Sequence, residues 1–499
     1  MDRRSRRPGI VLAAVAFGVF IAADDLTVVA TMLRQIISDL EIPLPAGLDD
    51  AAWIVNGYLV AYVAVMPFMG RVSDVLGRRR VFVGSLGVFV LGSVWVPMAD
   101  SLGSFVAARV VTAVGGGAMV PVAMAAIADV YRERRRATAL GVLGAVDTLG
   151  WVWGPMFGAF LVRYLSWQWQ FHLNIPLGLA GMAFAWWALD DHVADGRGRV
   201  DWVGAFLLAG ALVSVTVALL NTSEISTVGG LDELTGRTRV PVIPLFAAAA
   251  VALVLFLLWE RRRADPLLHL DLFRRPNVSA ATAVNFLVGG VLVIAMVNVP
   301  LFVNVIEGDV GEAALASGRV LSALTISMAV LAYVGGRITE ATTYRPPVLV
   351  GLVFSGAGFL LMGSSWSADT SFATMAWQLA LLGVGFGLVT APTNAAVVDS
   401  APADQRGVAA AMVILFRLMG LAVGLSGLTA WGLYRFNVLR DDLVLPPIGD
   451  PAYESALARA QAETTASALA ETFLFCVAVV AVAVAVGWLL QRRRVTAAR

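Results

Sequence analysis

Six ionisable residues lie deep inside long apolar stretches of this sequence, where charged groups are rarely found. Three are acids and three are bases: Asp24, Asp25, Asp147, Arg109, Arg319 and Arg417. A charged side chain costs about 2.5–3.5 kcal/mol at the centre of a membrane helix, so it normally faces a partner or a cavity and marks a functional path. Because a nearby arginine favours the ionised carboxylate and burial favours the neutral acid, a carboxyl whose partner moves can bind and release a proton. The alternative is that these residues form fixed structural ion pairs.

The hypothesis is that Asp25 exchanges a proton, with Arg417 or Arg109 as its counter-charge, and that Asp147 forms a second site. Neighbouring residues on a helix point about 100° apart, so Asp24 cannot face the same group as Asp25. Asp24 either lines the cavity at another angle or reaches towards the outer side of the membrane. At about 1.5 Å per residue, Asp25, Asp147 and Arg417 all fall near the middle of a bilayer, where they are expected to meet.

The composition predicts that membrane helices hold these residues. The chain has 499 residues, of which 59% are hydrophobic and 14% are charged, a balance typical of a polytopic membrane protein. A helix needs about 20 apolar residues to cross a bilayer. Such stretches lie near 10–32, 51–70, 80–99, 104–129, 137–162, 172–190, 202–221, 241–260, 278–305, 314–335, 346–365, 372–397, 408–431 and 470–490. The sequence therefore predicts an all-α fold with fourteen transmembrane helices.

The arginines predict how these helices are oriented. An even number of spans places both termini on one side, and basic residues concentrate in cytoplasmic loops. The segments that would share a face with the termini hold 26 of the 36 basic residues, in 1–9, 71–80, 130–136, 191–201, 261–277, 336–345, 398–407 and 491–499. Both termini are therefore expected in the cytoplasm.

Motifs of several other classes of protein are missing. No phosphate-binding loop, HExxH or GxSxG motif occurs, and the three histidines are scattered along the chain. We therefore expect no enzyme, no metal site and no cofactor. The acids inside the apolar stretches make a proton gradient the expected energy source. The formal net charge of +1 does not indicate a nucleic-acid partner.

Two separate matches indicate an internal repeat. GRVSD at 70–74 is similar to GRITE at 336–340, and the segment 121–140 can be aligned with 392–411. The members of each pair are separated by nearly the same number of residues, as expected for a duplicated unit of six helices. The predicted organisation is a six-helix bundle, a linker with two additional helices and a second six-helix bundle that carries an external loop: 1–190, 191–276, 277–499 and 432–469.

GRVSDVLGRRR at 70–80 resembles the signature loop of the major facilitator superfamily, G-x-x-x-D-x-x-G-R-[RK]-[RK]. The matching residues, with their counterparts in the repeat, are Gly70, Asp74, Gly77, Arg78, Arg79, Arg80, Gly336, Arg337 and Glu340. Glycines permit a tight turn, and an aspartate at a helix end can pair with an arginine or with a helix N-terminus. The resemblance implies a gate at the cytoplasmic face.

Further segments resemble the exporters of this superfamily. GWVWGPMFG is similar to their G-x-x-x-G-P-x-x-G helix through Gly150, Gly154, Pro155 and Gly158. DLTVVAT at 25–31 and WQWQFHLNIPLG at 167–178 resemble segments of fourteen-span drug:proton antiporters, although Gln168 stands where arginine is usual. The resemblance implies a major facilitator fold with helices arranged six, two and six.

A narrower resemblance is carried by WIVNGYLVAYVAVMPFMGR at 53–71 and AWGLYRFN at 430–437. Both are similar to the mycobacterial transporters that export triacylglycerides and work with a periplasmic lipoprotein. The family resemblance implies an exporter in the bacterial plasma membrane that works by alternating access between its halves. Proton-coupled export of drug-like amphiphiles is the first expectation. The alternatives are export of lipids such as triacylglycerides or glycolipids with a lipoprotein partner, and a non-transporting sensor or a uniporter.

The substrate, a small amphiphile or a membrane lipid, is expected in a largely apolar cavity between the two halves. Aromatic residues and methionines that would line it are Trp53, Tyr58, Tyr62, Met66, Phe286 and Met296. The same residue types suit packing against neighbouring helices or lipid equally well, and that alternative stays open.

Overall fold

The computed structural model describes residues 8–42, 48–190, 200–224, 242–263, 270–307, 310–402, 405–441 and 453–491. Within these residues the chain forms fourteen α-helices and no β-strand, which confirms the predicted all-α class. The first half consists of α1 (Pro8–Asp39), α2 (Leu48–Leu76), α3 (Arg78–Trp95), α4 (Leu102–Val130), α5 (Glu133–Tyr164) and α6 (Gln168–Ala188). Two linking helices follow, α7 (Trp202–Glu224) and α8 (Val242–Glu260). The second half consists of α9 (Pro276–Glu307), α10 (Val310–Ala341), α11 (Arg345–Ser365), α12 (Phe372–Ser400), α13 (Arg406–Asp441) and α14 (Tyr453–Gly487).

Thirteen of the described helices are long and apolar enough to cross a membrane. The fourteenth, α6, differs because Gln168, Gln170, His172 and Asn174 fill its first two turns with polar side chains. It nevertheless packs against α1 and α3 within the first half. The number of fourteen membrane spans therefore stays a prediction.

Two helices at equivalent places in the two halves begin in the same way. At the start of α4, Ser101 Oγ accepts a hydrogen bond from the backbone nitrogen of Ser104 at 3.3 Å. At the start of α12, Ser371 Oγ accepts one from the backbone nitrogen of Thr374 at 3.2 Å. A serine in this position satisfies one of the N–H groups that have no partner within the first helical turn.

The packing of the helices repeats between the halves. In the first half, α1 packs against α5, α4 packs against α2 and α3, and α3 packs against α6. In the second half, α9 packs against α13, α12 packs against α10 and α11, and α11 packs against α14. Each pair in one half has its counterpart in the other, as a duplicated six-helix unit predicts. The boundaries drawn at residues 190 and 276 stay a prediction.

The linking helices lie beside the two halves rather than between them. α7 packs against α2 and α13 and carries α8 on its other side. The apolar span in α8 is only 11% buried, whereas the span in α4 is 83% buried. An apolar helix with so little burial suits contact with lipid. The two linking helices therefore lie outside the interior that holds the charged residues.

The two halves close against each other at one end, near residues 70–80, 130–136, 336–345 and 398–407, which we call the arginine-rich face. A Cβ atom on Gly70 would lie 2.3 Å from the carbonyl oxygen of Gly407, and one on Gly336 would lie 2.7 Å from that of Ala137. Both contacts join the end of α2 or α10 to the start of α13 or α5 in the other half. Glycine alone has no Cβ and permits this approach of two backbones.

Candidate functional site

Asp25 and Arg109 form an ion pair in the interior of the first half. Asp25 lies on α1 and Arg109 lies on α4, and their Oδ2 and Nη1 atoms are 2.5 Å apart. Arg109 Nη2 also donates to the main-chain oxygen of Asp25 at 3.1 Å. Asp25 is fully buried and Arg109 is 1% exposed. Because a buried charge without a partner is strongly unfavourable, each of these side chains depends on the other.

Two further helices complete the surroundings of this ion pair. Asn174 on α6 donates from Nδ2 to Asp25 Oδ1 at 3.0 Å. The guanidinium of Arg109 lies over the ring of Tyr58 on α2, with 4.1 Å between Cζ and the ring centroid. An amide donor stabilises the carboxylate, and the face of an aromatic ring stabilises the cation. Asn174 belongs to the exporter-like segment 167–178, but a neutral amide gives no sign in the sequence that it contacts an ion pair.

Asp147 and Arg417 form a second ion pair, which joins the two halves. Asp147 lies on α5 and Arg417 on α13, with 3.1 Å between Oδ2 and Nη2. Their side chains are 9% and 13% exposed. Of the two counter-charges considered for Asp25, the structure thus places Arg109 beside it, while Arg417 lies beside Asp147.

The second ion pair lies in a small, partly open cleft between the halves. The other residues that line the cleft are Thr148, Trp151, Leu292, Met296, Leu324, Thr325, Met328 and Leu421. Apart from the ion pair and two threonines this lining is apolar or aromatic, as in many sites for hydrophobic ligands. Of these lining residues, Met296 is the one expected in the cavity from the sequence. The other residues lie on helices of both halves that are far apart in the sequence, so no local pattern marks them as neighbours.

Three residues expected to line the substrate cavity belong instead to the hydrophobic core. Tyr58, Tyr62 and Met66 on α2 are at most 2% exposed. They are buried because glycines on α4 let α2 approach closely: a Cβ on Gly116 would lie 2.9 Å from the Tyr58 hydroxyl, and one on Gly117 would lie 2.6 Å from the Tyr62 carbonyl oxygen. In this structure the three residues therefore take the packing role that the sequence left as the alternative, and their place in a substrate cavity stays a prediction.

The remaining two expected cavity residues lie outside the described lining of the cleft. Phe286 is half-buried on α9, and a Cβ on Gly420 of α13 would collide with its main-chain oxygen. Trp53 is 39% exposed near the start of α2. Both residues serve the surface or the packing of their helices.

A pair of stacked tyrosines lies between the two ion pairs. The rings of Tyr58 and Tyr62 have centroids 5.7 Å apart and an interplanar angle of 21°. Tyr58 contacts Arg109, and Tyr62 lies within electrostatic reach of Asp147 and Arg417. The two ion pairs are therefore connected through one face of α2.

Asp24 and Arg319 form no third ion pair within the described residues. Asp24 is 6% exposed and accepts a hydrogen bond at Oδ2 from Gln170 Nε2 on α6, at 2.7 Å. Because Asp24 lies about 100° around α1 from Asp25, it faces α6 rather than α4. Arg319 is exposed, close to the beginning of the apolar span 316–341. Among the described residues, the six charged groups therefore form two ion pairs, Asp25 with Arg109 and Asp147 with Arg417.

The exporter-like motif forms the contact between α5 and α1. Gly150, Gly154 and Gly158 all face the main chain of α1, and a Cβ on Gly154 would lie 2.3 Å from the hydroxyl of Thr27. Small residues four apart permit this kind of close helix contact. Pro155 belongs to the same stretch, and its side chain lies outside the described residues. The motif thus fixes the helix that carries both Asp24 and Asp25.

We expect Gly154→Leu to push α1 away from α5 and to destabilise the protein. Overpacking a tight interior contact costs about 1–3 kcal/mol, which thermal unfolding of the purified protein will report as a lower melting temperature. The control is Gly210→Leu on α7, an exposed position where an added Cβ meets no atom within 4 Å. Equal melting temperatures for the two variants would contradict the close contact.

Predicted gate residues form a network across the two halves at the arginine-rich face. Asp74 Oδ1 accepts a hydrogen bond from the backbone nitrogen of Gly407 at 3.2 Å, and Asp74 also pairs with Arg78. Arg78 Nε lies 3.1 Å from Asp129 Oδ2, and Arg406 Nη1 lies 3.3 Å from Asp129 Oδ1. The network therefore ties α2, α3 and α4 to the start of α13.

The other predicted gate residues have more varied surroundings. Gly77 joins α2 to α3 with a φ of 96°, a conformation that favours glycine. Arg79 lies over the ring of Trp186, 4.6 Å from its centroid. Arg80 and Arg337 are exposed, and Glu340 is half-buried.

A second charged contact crosses the halves at this face, and none of its residues belongs to the predicted gate. Arg136 on α5 pairs with Asp399 on α12, and the Tyr344 hydroxyl donates to Asp399 Oδ2 at 2.6 Å. The internal repeat offers a signal for this contact, because Asp399 precedes Arg406 in the sequence by the same number of residues as Asp129 precedes Arg136. Each half therefore contributes an arginine and an aspartate to the closed face.

A family model described as the Major Facilitator Superfamily matches residues 15–425. The chain is 36% identical over 462 residues to a triacylglyceride transporter of Mycolicibacterium hassiacum, covering 89% of this chain and 83% of that protein. It is 34% identical over 470 residues to a triacylglyceride transporter of Mycobacterium tuberculosis, covering 89% and 86%. A probable triacylglyceride transporter of Mycobacterium leprae is 34% identical over 484 residues, covering 92% and 91%.

Solved structures with the same fold include two transporters. One is a proton:xylose symporter, with a TM-score of 0.63 and 10% identity over 96% of this chain and 95% of that one. The other is a human organic anion transporter, with a TM-score of 0.60 and 16% identity over 95% and 99%. Together with the family match, the helix packing and the apolar helices, these similarities lead to one conclusion: the chain belongs to the Major Facilitator Superfamily and is a polytopic membrane transporter, not an enzyme.

Proposed function

We propose that this transporter exports neutral lipids of the triacylglyceride class by alternating access. The observation that carries the proposal is its 34% to 36% identity, over 462 to 484 residues, with proteins named as triacylglyceride transporters. Export of drug-like amphiphiles, the first expectation from the sequence, stays a prediction without comparable support. Lipid export, which the sequence left as the alternative, is therefore preferred.

The charges of the cleft also favour a neutral substrate. A cationic drug is best held by a carboxylate that has no other counter-charge. In the cleft the Asp147 carboxylate is already paired with Arg417, 3.1 Å away, and Asp25 is buried against Arg109. The remaining wall is mostly aliphatic and aromatic, which suits contact with acyl chains and offers them no unpaired charge among the lining residues.

We further propose that Asp25 couples transport to a proton gradient, with Arg109 as its counter-charge and no cofactor. A carboxyl paired with arginine is held as the anion, and a carboxyl that loses this partner in an apolar interior takes up a proton. A shift of α1 against α4 between two conformations would separate the pair and so make proton binding depend on the state of the transporter. The gradient then biases the cycle in one direction.

The arginine-rich face is assigned to the cytoplasm, with both termini on that side of a bacterial plasma membrane, because basic loops concentrate there. With this orientation, closure at Gly70 and Gly407 corresponds to a state that releases lipid to the outside. A lipoprotein that accepts the lipid there stays a prediction. The middle of the external loop, 442–452, lies outside the described residues.

Reconstitution into proteoliposomes tests the substrate class. We expect an imposed pH gradient to drive a fluorescent triacylglyceride analogue across the membrane, and a cationic dye to move no faster than in empty liposomes. Transport of the dye without the lipid would overturn the proposal in favour of drug export. Movement of neither compound would favour a sensor, and lipid movement that ignores the gradient would favour a uniporter.

Neutralising one partner of the cleft ion pair should slow lipid transport. Asp147→Asn leaves Arg417 without its counter-charge in a partly buried site, which is unfavourable. We expect transport to fall by about tenfold or more, equivalent to roughly 1.4 kcal/mol. The exchange Asp147→Arg with Arg417→Asp restores a pair of the same charges and should recover part of the rate. A double variant no faster than the single one would contradict a role for the pair itself.

A further inference from the structure

The hydrogen bond between Asp24 and Gln170 leaves one oxygen of each side chain without a partner. Gln170 Nε2 on α6 donates to Asp24 Oδ2 on α1 at 2.7 Å. Asp24 Oδ1 and Gln170 Oε1 are both buried and have no hydrogen-bond partner. The two residues are 6% and 1% exposed. A buried polar atom without a partner costs about 1–3 kcal/mol, so two of them on adjoining groups need an explanation.

A single proton would satisfy both oxygens. A protonated carboxyl offers one O–H donor and an acceptor, and a primary amide offers N–H donors and an acceptor. With the proton on Oδ1, Asp24 can donate to Gln170 Oε1 while Gln170 Nε2 continues to donate to Oδ2. If the amide is turned over, the proton sits on Oδ2 and the same two hydrogen bonds form. In either orientation the complete pairing of the two groups requires the neutral acid.

The surrounding charges do not supply a counter-ion for an ionised Asp24. The adjacent Asp25 exerts a like-charge repulsion on it. Among the side chains that the structure describes away from the arginine-rich face, the buried ionisable groups on the helices packed against α1 are Tyr58, Tyr62, Arg109 and Asp147. Arg109 is bound by Asp25, and Asp147 is bound by Arg417. A carboxylate at Asp24 would therefore bury a second negative charge beside Asp25 with one hydrogen bond from a neutral amide.

We propose that Asp24 is a proton-binding site of its own, held as the neutral acid by Gln170 and distinct from the pair formed by Asp25 and Arg109. The proposal rests on the proposed proton-coupled transport and adds a second proton carrier to it. When α1 shifts against α6, both hydrogen bonds break, the O–H electron pair stays on the carboxylate and the proton leaves to water. Gln170 acts as a positioning residue that ties protonation of Asp24 to the contact between α1 and α6.

Infrared difference spectroscopy of the full-length protein in lipid nanodiscs tests this assignment without any transport. Spectra recorded at neutral and alkaline pH report the carbonyl band of protonated carboxylic acids. We expect the wild-type protein to show such a band near neutral pH and Asp24→Asn to lose it. Asparagine can still form two hydrogen bonds with Gln170, so this variant is expected to fold.

Gln170→Leu supplies an independent variant with an intact carboxyl group. Removal of the amide should shift the frequency of the Asp24 carbonyl band, because the band depends on the hydrogen bonds of the acid. The control is Gln168→Leu, a glutamine of the same helix outside the pair, which should leave the band unchanged. A band that survives Asp24→Asn at full intensity, or that ignores Gln170→Leu, would overturn the proposal.

Proton counting then connects the site to transport. In proteoliposomes with an enclosed pH dye, Asp24→Asn should exchange fewer protons per transported lipid than the wild type. An unchanged proton count would show that Asp24 carries no proton through the cycle and would overturn its role as a carrier. If the wild-type protein moves no lipid, the proposed function fails, whereas the infrared result for Asp24 is unaffected.

Discussion

Asp25→Asn is expected to abolish lipid transport driven by a pH gradient and to destabilise the protein. Asparagine cannot carry a proton between its two charge states, and it leaves the Arg109 guanidinium, 1% exposed, without a counter-charge. Breaking a buried ion pair by removing one partner costs about 3–5 kcal/mol. Transport in proteoliposomes and thermal unfolding of the purified protein measure the two effects separately.

A double variant separates the two effects of this exchange. Asp25→Asn with Arg109→Gln removes both buried charges and leaves groups that can hydrogen-bond with each other, so stability should recover towards that of the wild type. Transport driven by the gradient should stay absent, because no carboxyl is present at this site. Recovery of transport in the double variant, or normal transport in Asp25→Asn alone, would contradict the assignment of Asp25 as a proton carrier.

Gly407→Val is expected to prevent the two halves from closing at the arginine-rich face. A Cβ on Gly407 would lie 2.3 Å from the carbonyl oxygen of Gly70, so the closed contact cannot form without a shift of backbone. A cost of about 1–3 kcal/mol for overpacking would change the ratio of closed to open states by about 5–150-fold. Transport should fall to a similar extent, because a transporter that cannot close one face does not complete its cycle.

Distances between spin labels report this change directly. Leu76 at the end of α2 is 48% exposed and Ile338 near the end of α10 is 36% exposed, so cysteines at these positions can carry labels on the two halves once the buried Cys476 is replaced by alanine. Gly407→Val should shift the distribution to longer distances. Gly84→Val, where an added side chain meets no atom within 4 Å, is the control and should leave it unchanged. The same distribution in both variants would rule out the glycine contact as a gate.

The fold could be predicted because its signals are local or repeated. Apolar stretches of membrane length predict helices directly, and GRVSD with GRITE marks equivalent ends of α2 and α10. The structure adds contacts that follow this equivalence, such as those of Gly70 with Gly407 and of Gly336 with Ala137. The number of membrane helices is less certain, because the polar residues at the start of α6 leave it less apolar than the other thirteen helices, although it packs as part of the bundle.

The partners of the charged residues could not be predicted with the same success. Depth along a helix placed Asp25, Asp147 and Arg417 at one level, but the choice between two arginines for Asp25 depended on how α1 is turned towards α4. Helical rotation is set by packing, here by the glycines of α5 and α4, and packing partners are not local in sequence. Asn174 and Gln170 were missed for the same reason, since neutral amides do not stand out as the charged residues do.

The lining of the cavity is the part of the site that sequence patterns indicate least. Aromatic and methionine side chains on α2 suit either a cavity or a core, and Tyr58, Tyr62 and Met66 proved to be core residues because α4 lies so close. The actual cleft combines Met296 and Trp151 with the ion pair of Asp147 and Arg417. Such a site depends on where two halves meet and has no signature in either half alone.

The central claim is that lipid export is driven by a proton carried in the first half of the chain. Its most direct test is the movement of a fluorescent triacylglyceride in proteoliposomes, recorded together with an enclosed pH dye, under an imposed pH gradient. We predict lipid transport accompanied by proton movement in the opposite direction, with both signals absent in Asp25→Asn. Lipid transport that continues at the wild-type rate in Asp25→Asn, or without any proton signal, would contradict this account.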